Sequence, residues 1–360
     1  MSAHRAWNLV AELTYRCPLR CAYCSNPTDY ASVRETLDAD AWAQVFREAS
    51  DLGVVHVGLT GGEPSVRNDL AEIVASASAA GLYTHLVTAG TPITSDGLDA
   101  LVTAGLRSVQ LSIQDSQPEA SDRMAGVGVF ERKLAFAEAV RVRNLPLVLN
   151  VVLQRENIAR VSEHVALARR LGAHRLELAN AQYYGWALTN RAALLPTMQQ
   201  IEDATRAAEA ARREPHAPEI VFARPDHHRD RPKPCMGGWG RRIVVVNPSG
   251  LVLPCHAAAQ LPGLEFYSVP EHSLGTCWND APGMNAYRGE SWMREPCRSC
   301  PERERDFGGC RCQAFQLTGD ATATDPACAL APERARMLAI RDEANQQPPP
   351  LRYRGAQSPV

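Results

Sequence analysis

Three cysteines near the amino-terminal end of the sequence are spaced closely enough to bind one metal cluster. Cys17, Cys21 and Cys24 lie in the stretch CPLRCAYC, directly after the predicted strand NLVAEL. Three thiolates on one loop can bind three irons of a [4Fe–4S] cluster, which leaves the fourth iron open. An open coordination position is what a reacting metal centre needs, as in catalytic zinc sites. The spacing therefore predicts a catalytic iron–sulfur cluster; the alternative is a structural zinc loop with a distant fourth ligand.

The remaining cysteines form a second concentration of thiols toward the carboxyl end. The chain has 11 cysteines, and none lies between Cys24 and Cys235. Core cysteines without a shared role would scatter, whereas clustering at short spacings in a reducing compartment favours iron–sulfur or metal ligation over disulfides. The members of this second region are Cys235, Cys255, Cys277, Cys297, Cys300, Cys310, Cys312 and Cys328.

The composition excludes several classes of partner. No apolar run approaches the length of a membrane span, and the first residues, MSAHRAWNLV, lack the layout of a secretion signal. The net charge of −2, from 38 basic and 40 acidic side chains, argues against a nucleic-acid surface. With 45% hydrophobic residues, an ordinary packed core is expected. We therefore expect a cytoplasmic protein that binds neither nucleic acid nor a membrane.

A repeated unit of helix, glycine and strand positions the first cysteine loop. Asp38 can cap a helix whose apolar face is Trp42, Val45, Phe46, Ala49 and Leu52. Gly53 ends this helix, and Gly81, Gly105 and Gly172 precede later strands, since glycine accepts the left-handed backbone at a helix end. The six predicted strands are NLVAEL, VVHVGL, LYTHLVT, LRSVQLS, PLVLNVVL and AHRLELA. Their alternation with helices predicts an α/β fold with a parallel sheet, either doubly wound or barrel-like.

The pattern changes after the sixth strand. QYYGWALTNR is expected to be a loop, 196–213 a helix, and HAPEIVFARPDHHRDRPKP a proline-rich crossing. The following region has few helical patterns and is expected to need metal for its stability. The predicted divisions are a sheet domain at 1–180, a bridging region at 181–233, a small domain at 234–330, a closing helix at 331–345 and a disordered tail at 346–360.

The cysteine triplet resembles the signature of the radical S-adenosylmethionine (SAM) enzymes. The segment TGGEP at 60–64 is similar to the family's loop that holds the methionine amino group, and Tyr23 resembles the aromatic residue beside adenine. The resemblance implies a partial (β/α)6 barrel and a catalytic role for Cys17, Cys21 and Cys24. It implies cleavage of SAM to a 5′-deoxyadenosyl radical that removes hydrogen from a substrate. The implied cofactor-binding residues are Tyr23, Gly61, Gly62, Glu63, Pro64, Ser112, Gln114, Asn150 and Gln154. For Tyr23, Ser112, Asn150 and Gln154 the alternative is a structural role.

The second cysteine region resembles the SPASM domain, which carries two auxiliary iron–sulfur clusters. Two clusters need eight ligands, but only seven cysteines match. The pattern expects a cysteine six positions after Cys300, and Asp306 stands there; a carboxylate can also bind iron. His256 is left as an alternative ligand or a supporting donor, and Cys277 as a spare thiol. The implied ligand sets are Cys235, Cys255, Cys310 and Cys312 for one cluster, and Cys297, Cys300, Asp306 and Cys328 for the other; the clusters are both [4Fe–4S], or one is [2Fe–2S].

Within the SPASM enzymes, the stretches QYYGWALTNR, RPKPCMGGWG and EPCRSCPERERDFGGCRCQAFQLTGD are similar to the peptide cyclases of pyrroloquinoline quinone biosynthesis. The resemblance implies that the substrate is a precursor peptide, PqqA, in which a glutamate carbon is joined to a tyrosine ring. It implies a peptide chaperone, PqqD, and a flavodoxin-like or ferredoxin reductant. Tyr183, Tyr184 and Trp186 either line the peptide channel or pack in the core.

Two other readings stay open at this point. Another SPASM enzyme would form a thioether, decarboxylate a peptide or mature a sulfatase, which Asp306 and Cys312 disfavour. A non-enzymatic iron–sulfur electron carrier is disfavoured by the missing fourth ligand beside Cys17, Cys21 and Cys24.

Overall fold

The computed structural model of the chain describes residues 4–29 and 33–355, and its centre is one nine-stranded sheet. The order of strands across the sheet is β7-β6-β5-β4-β3-β2-β1-β8-β9. The strands are β1 (Asn8–Thr14), β2 (His56–Gly61), β3 (Tyr83–Thr88), β4 (Ser108–Ser112), β5 (Leu147–Leu153), β6 (Arg175–Asn180), β7 (Glu219–Phe222), β8 (Ile243–Val246) and β9 (Val252–Leu253).

The strand order identifies the sheet as an open barrel. Strands β1 to β7 lie side by side in chain order, and every neighbouring pair among them is parallel. A doubly wound sheet reverses its strand order at a switch point, and these strands show no reversal. The six strands predicted from sequence are β1 to β6, and the barrel-like alternative is the correct one.

Helices connect the barrel strands and cover their outer face. The first begins at its cap, Asp38, whose side chain accepts a hydrogen bond from Ala41 N, and it buries Trp42 and Phe46 as predicted. The helices are α1 (Ala39–Asp51), α2 (Leu70–Ala79), α3 (Ser95–Thr103), α4 (Pro118–Ala125), α5 (Phe130–Val142), α6 (Val161–Arg170), α7 (Gly185–Thr189), α8 (Arg191–Leu194), α9 (Met198–Arg212), α10 (Leu274–Asp280), α11 (Pro282–Asn285), α12 (Arg303–Asp306), α13 (Arg311–Thr318) and α14 (Arg334–Glu343). Among the described residues, none of these is long and apolar enough to cross a bilayer.

The bridging region contains structure that the sequence analysis missed. The stretch expected to be a loop holds α7, and the proline-rich crossing holds β7, which pairs with β6. A four-residue strand presents only about two side chains to the core, so the EIVF pattern is too short to distinguish from a loop. The predicted helix at 196–213 is confirmed as α9, which begins with a capping box at Thr197 and Gln200.

The region after residue 233 is continuous with the barrel. Strand β8 pairs in parallel with β1, placing Val245 beside Val10, and β9 follows it antiparallel. Val244, Val246 and Val252 belong to the same buried cluster as the barrel core. The predicted boundary near residue 233 therefore separates the first three cysteines from the later ones. The hydrophobic core continues across this boundary.

The segment after α14 differs from the expected disordered tail. Residues 346–355 run back toward the first cysteine loop, where Arg352 N donates to Asn190 Oδ1 at 2.8 Å and Asn190 Nδ2 donates to Arg352 O at 2.8 Å. Leu351 and Tyr353 pack against a buried cluster. These two apolar side chains give the segment something to bury, which its composition as a whole obscured. Residues 356–360 lie outside the described part of the chain.

Candidate functional site

The largest grouping of predicted site residues surrounds a cavity of about 290 Å³ at the carboxyl ends of the barrel strands. This is the end at which (β/α) barrels carry their active sites. Its wall contains the three cysteines and most of the predicted cofactor contacts. Those present are Cys17, Cys21, Tyr23, Cys24, Gly61, Gly62, Glu63, Ser112, Gln114 and Asn150.

Backbone hydrogen bonds from two helices fix the cysteine loop. Arg20 N and Ala22 N donate to the carbonyls of Ala125 and Met124, at the end of α4, at 2.8 and 3.1 Å. On the other side, Ala187 N in α7 donates to Cys24 O at 2.9 Å. These hydrogen bonds tie the cysteine loop to α4 on one side and to α7 on the other.

The three thiols fit a positively charged group of metal ions. Burial raises the pKa of Cys21 to about 12 and also raises the pKa of Cys17 and Cys24. At neutral pH the thiols stay protonated unless a cation displaces the protons, as iron does when thiolates bind it. The indole N–H of Trp186, in the same cavity wall, is buried and has no hydrogen-bond partner among the described residues, which is consistent with a bound ligand.

A buried lysine that the sequence analysis missed lies behind the cysteines. Lys133, on α5, is fully buried and donates to Ser112 O at 2.7 Å and to Gln114 Oε1 at 2.6 Å. Gln114 therefore turns its amide nitrogen the other way, 3.0 Å from the Tyr23 hydroxyl and 3.9 Å from Cys21 Sγ. Burial lowers the pKa of Lys133 to about 8. The lysine thus fixes which end of Gln114 faces the cysteine loop.

The TGGEP segment is packed against the strand that precedes the cysteines. A Cβ atom on Gly61 would lie 2.2 Å from Thr14 O, and one on Gly62 would lie 2.5 Å from Arg16 O. Glu63 accepts hydrogen bonds from Thr88 Oγ1 at 2.6 Å and Ala89 N at 2.7 Å, so its carboxylate holds two strand ends together. Pro64 begins a short 3-10 turn and lies outside the cavity wall.

Gln154, like Pro64, is a predicted contact that the structure does not bring to the cavity. Strand β5 ends at Leu153, and the chain then turns, with Gln154 Oε1 accepting from Glu156 N at 2.6 Å. Its side chain lines a different cavity, of about 420 Å³, together with residues of the carboxyl-terminal segment. The alternation that turns the side chains of Asn150 and Val152 toward the cavity ends with strand β5. It therefore does not extend to Gln154.

Four cysteines of the second region meet in one buried group. Cys255 Sγ and Cys312 Sγ are 3.8 Å apart, and Cys235 and Cys310 contact the same pair. Hydrogen bonds among the thiols raise the pKa of Cys235 and Cys312 and lower the pKa of Cys255 and Cys310. Four thiols in one buried group compete for the same protons, which suits a cationic cluster that would replace them all.

The other predicted ligand set lines a small separate cavity. Cys297, Cys300, Asp306 and Cys328 meet there, with Thr324 Oγ1 accepting from Cys297 Sγ at 3.5 Å. Asp306 ends α12 and is nearly buried, and burial raises the pKa of its carboxyl group. Its Oδ1 accepts from Gly308 N at 2.9 Å. Within residues 4–29 and 33–355, no three such side chains are grouped as ligands of one metal ion; cluster ligands each bind a separate iron and stand apart.

Asp325 joins the two ligand groups and was not singled out from the sequence. It is fully buried, and its carboxylate accepts from Cys310 N at 2.7 Å and from Gln313 Nε2 at 2.8 Å. Its own carbonyl accepts from Cys328 N at 2.8 Å. Burial raises the pKa of Asp325 to about 6. Only its spacing from the CxC pair could have suggested this position.

His256 and Cys277 lie outside both groups. His256 Nδ1 is 2.5 Å from Glu12 Oε1 on β1, so it ties the second region to the barrel. Cys277 is buried on α10, within the hydrophobic core.

The aromatic residues after β6 separate two cavities. Trp186 lines the first cavity, whereas Tyr183 and Tyr184 line a second one beside Cys235 and Cys310. The Tyr184 hydroxyl is 3.7 Å from Cys310 Sγ. Residues 180–182 line both cavities, so one short stretch of backbone divides the cysteine triplet's cavity from the four-cysteine group.

Comparison with known proteins agrees with this architecture. The family model of the Radical SAM superfamily matches residues 11–168. The chain is similar in fold to Streptococcus suis SuiB bound to S-adenosylmethionine, with a TM-score of 0.77 at 18% identity, covering 91% of this chain and 78% of SuiB. It is also similar to anSMEcpe with bound AdoMet, with a TM-score of 0.64 at 14% identity, covering 94% of this chain and 96% of the other.

The fold and the site define a radical SAM enzyme with an open, partial barrel. Its cofactors accordingly include S-adenosylmethionine and a [4Fe–4S] cluster. The chain is 51% identical over 359 residues to the PqqA peptide cyclase of Methylocella silvestris, covering 98% of this chain and 96% of the relative. It is 48% identical over 348 residues to that of Gluconobacter oxydans, covering 96% and 97%. The chain belongs to the family of PqqA peptide cyclases.

Proposed function

We propose that this enzyme forms a carbon–carbon bond between a glutamate and a tyrosine side chain of the precursor peptide PqqA, in pyrroloquinoline quinone biosynthesis. The proposal is supported by the identity of the chain with PqqA peptide cyclases and by the residues that match the family's motifs. One observation carries it most: the three-thiol cavity and the four-thiol group lie on two sides of residues 180–182.

In this proposal Cys17, Cys21 and Cys24 hold the catalytic cluster. Together with SAM, the bound cluster supplies a reductively generated radical that removes a hydrogen atom from substrate. The protein's own role is to position the cluster and SAM and to exclude water from them. Gln114 donates toward Cys21 and Tyr23, and Ser112 and Asn150 at the strand ends supply polar contacts to the cofactor.

The remaining ligand sets account for the oxidation that the product requires. Joining two carbon atoms that each carry hydrogen removes two hydrogens in total, so after the first hydrogen atom leaves, one proton and one electron must follow. The sets built around Cys235 and around Cys297 would hold two auxiliary iron–sulfur clusters, whose chemistry is electron transfer. Asp306 completes the set around Cys297, and the Tyr184 hydroxyl contacts Cys310 in the wall of the second cavity.

Two protein partners are part of the proposal. PqqD would present the peptide, and a flavodoxin-like or ferredoxin protein would deliver the electron that starts each turnover. The peptide would approach the part of the cavity wall that contains Asn180 and Trp186.

The test is an anaerobic incubation of the reconstituted enzyme with SAM, reductant, PqqD and PqqA, read by peptide mass spectrometry. Loss of two hydrogens, with fragmentation blocked between the glutamate and the tyrosine, is expected. A peptide deuterated at the glutamate γ-carbon should pass deuterium to 5′-deoxyadenosine. The matched control is Cys24→Ala, which should form neither product. Formation of 5′-deoxyadenosine with an unmodified peptide would reject the cross-link and point to another substrate of a SPASM enzyme.

A further inference from the structure

The carboxyl-terminal arm, defined here as residues 346–355, reaches the catalytic cavity from the far end of the chain. Two anchors hold its course. Arg155 donates to the carbonyls of Ala344 and Gln346, the latter at 2.9 Å. Asn190 pairs with both backbone groups of Arg352 and also donates to Ala22 O in the cysteine loop, at 2.9 Å. The arm is therefore attached to the loop that carries the thiols.

The last described turn of the arm brings one cation to that loop. The Arg354 guanidinium donates through Nη2 to Cys17 O at 2.6 Å and also to Leu19 O. The same side chain forms part of the cavity wall. Two carbonyls on either side of Pro18 are thus held by one planar group, which fixes the spacing of the loop between Cys17 and Cys21.

We propose that the arm completes the cofactor site, and that Arg354 is a positioning residue which holds the Cys17–Cys21 loop and favours the reduced, SAM-bound cluster. This inference rests on the proposed assignment of the cluster to Cys17, Cys21 and Cys24. Nothing in the motifs marks Arg354, because it lies more than 300 residues from the loop it contacts.

The charge of the cavity supports this role. Three thiolates bound to iron, the electron added on reduction and the carboxylate of SAM all add negative charge to the site. Among the described side chains of the wall, Arg20 and Arg354 are cations, whereas the Glu63 carboxylate is already engaged by Thr88 and Ala89. A guanidinium inside a partly buried cavity interacts with such charges far more strongly than one in water.

Two properties of Arg354, its positive charge and the fixed arrangement of its donors, can be tested separately by substitution. A guanidinium presents its donors in a fixed fork, whereas a lysine ammonium is a point charge on a flexible stem. Arg354→Lys keeps the charge and loses the fork, and Arg354→Gln loses the charge. Arg352→Gln is the matched control, because it alters an arginine of the same arm while its backbone pair with Asn190 stays in place.

The experiment uses the full-length reconstituted enzyme and its electron paramagnetic resonance (EPR) spectrum. The cluster with an open iron is the one whose signal changes when SAM is added, and this change can be titrated with SAM at a series of applied potentials. For Arg354→Gln we expect the equilibrium constant for reduction of that cluster to fall about tenfold, and the dissociation constant of SAM to rise about tenfold. Arg354→Lys should retain most of the reduction and bind SAM more weakly, and Arg352→Gln should match the wild type. Loss of the SAM-responsive signal from Arg354→Gln alone, with the other signals retained, would also support the proposal.

Three results would overturn it in distinguishable ways. Wild-type behaviour of Arg354→Gln in both measurements would leave Arg354 no role at the cofactor. Equal losses in Arg354→Gln and Arg352→Gln would assign the effect to packing of the arm in general. A wild-type enzyme without any SAM-responsive signal would reject the cluster assignment, and with it the proposed function, before the variants are compared.

Discussion

At the scale of single residues, the choice between lysine and arginine is informative in this chain. Of its 38 basic side chains only two are lysines, Lys133 and Lys233. Lys133 occupies a fully buried position, where its compact ammonium donates to Ser112 O and Gln114 Oε1. Because Lys133 donates to Gln114 Oε1, the amide nitrogen of Gln114 faces Cys21. Lys133 therefore orients the Gln114 amide.

We predict that Lys133 titrates with a pKa of about 8 in the cluster-free protein, because burial disfavours its ammonium form. Nuclear magnetic resonance of protein labelled with ¹³C at the lysine ε-carbon would show two side-chain signals, and Lys233→Arg assigns them. Cluster assembly should raise the pKa of Lys133, since the cluster adds negative charge nearby. Titration above pH 10 in the cluster-free protein would contradict the prediction.

A second prediction for a single residue concerns the replacement of Asp306. Asp306→Ala removes one proposed ligand of the cluster set built around Cys297, so cross-link formation should fall about tenfold or more, while SAM cleavage changes little. Peptide mass spectrometry and 5′-deoxyadenosine formation, with iron content, provide the measurements. Glu304→Ala, an exposed carboxylate on the same short helix, is the control. Full cross-linking with unchanged iron would remove Asp306 from the ligand set.

At the scale of elements, the turn after β2 is built for contact between two backbones. Gly61 has a φ of +121°, and its missing side chain lets the chain pass against Thr14 at the end of β1. The glycines of TGGEP were expected from sequence to allow a ligand to approach, and the structure shows that they also allow one strand end to approach another. A short motif such as TGGEP predicts a turn, but it does not predict which distant segment packs against that turn.

Gly61→Ala should destabilise the fold by about 2–3 kcal/mol, because it adds a Cβ where Thr14 O lies 2.2 Å away and strains a positive φ. The measurement is the apparent melting temperature of the reconstituted enzyme. Gly58→Ala in the same strand is the matched control, since its Cβ would meet nothing within 4 Å. Equal melting temperatures for the two variants would show that the Gly61 turn relaxes freely.

The contact between His256 and β1 predicts a pH dependence. Burial alone would lower the pKa of His256, but the hydrogen bond and charge of Glu12 outweigh it and raise the pKa. The contact therefore contributes fully below the unfolded value of about 6.5, and the contribution is lost as the pH rises through the folded value. The melting temperature of His256→Gln should lie furthest below that of the wild type near pH 6. A gap that widens toward pH 9 would have the wrong sign.

At the scale of the whole molecule, the sequence predicts local patterns well and long-range joins poorly. The six barrel strands and the cap at Asp38 were predictable because periodicity and capping are local. The grouping of the cysteines of the second region was predictable because a sequence motif carries it. The pairing of β8 with β1, the contact of Arg354 with the cysteine loop and the exclusion of Gln154 from the cavity all depend on where distant segments meet.

A chain ending at residue 233 should fail to fold cooperatively, although it contains every predicted barrel strand. It lacks β8 and β9, whose Val244, Val246 and Val252 lie in the barrel's own core. Circular dichroism and size-exclusion chromatography would show a loosely packed or aggregated state, whereas a chain ending at residue 345 keeps all nine strands and should melt cooperatively. A monomeric, cooperatively melting 1–233 fragment would contradict the shared core.

The pairing of β1 with β8 also sets the order of events at the ribosome. β1 is synthesised before β2, which can then join one of its edges. Its other edge stays without a neighbour until Val245, the partner of Val10, has been synthesised. An unpaired edge invites pairing with other chains, so slow codons placed between β7 and β8 should lower the soluble yield of the enzyme.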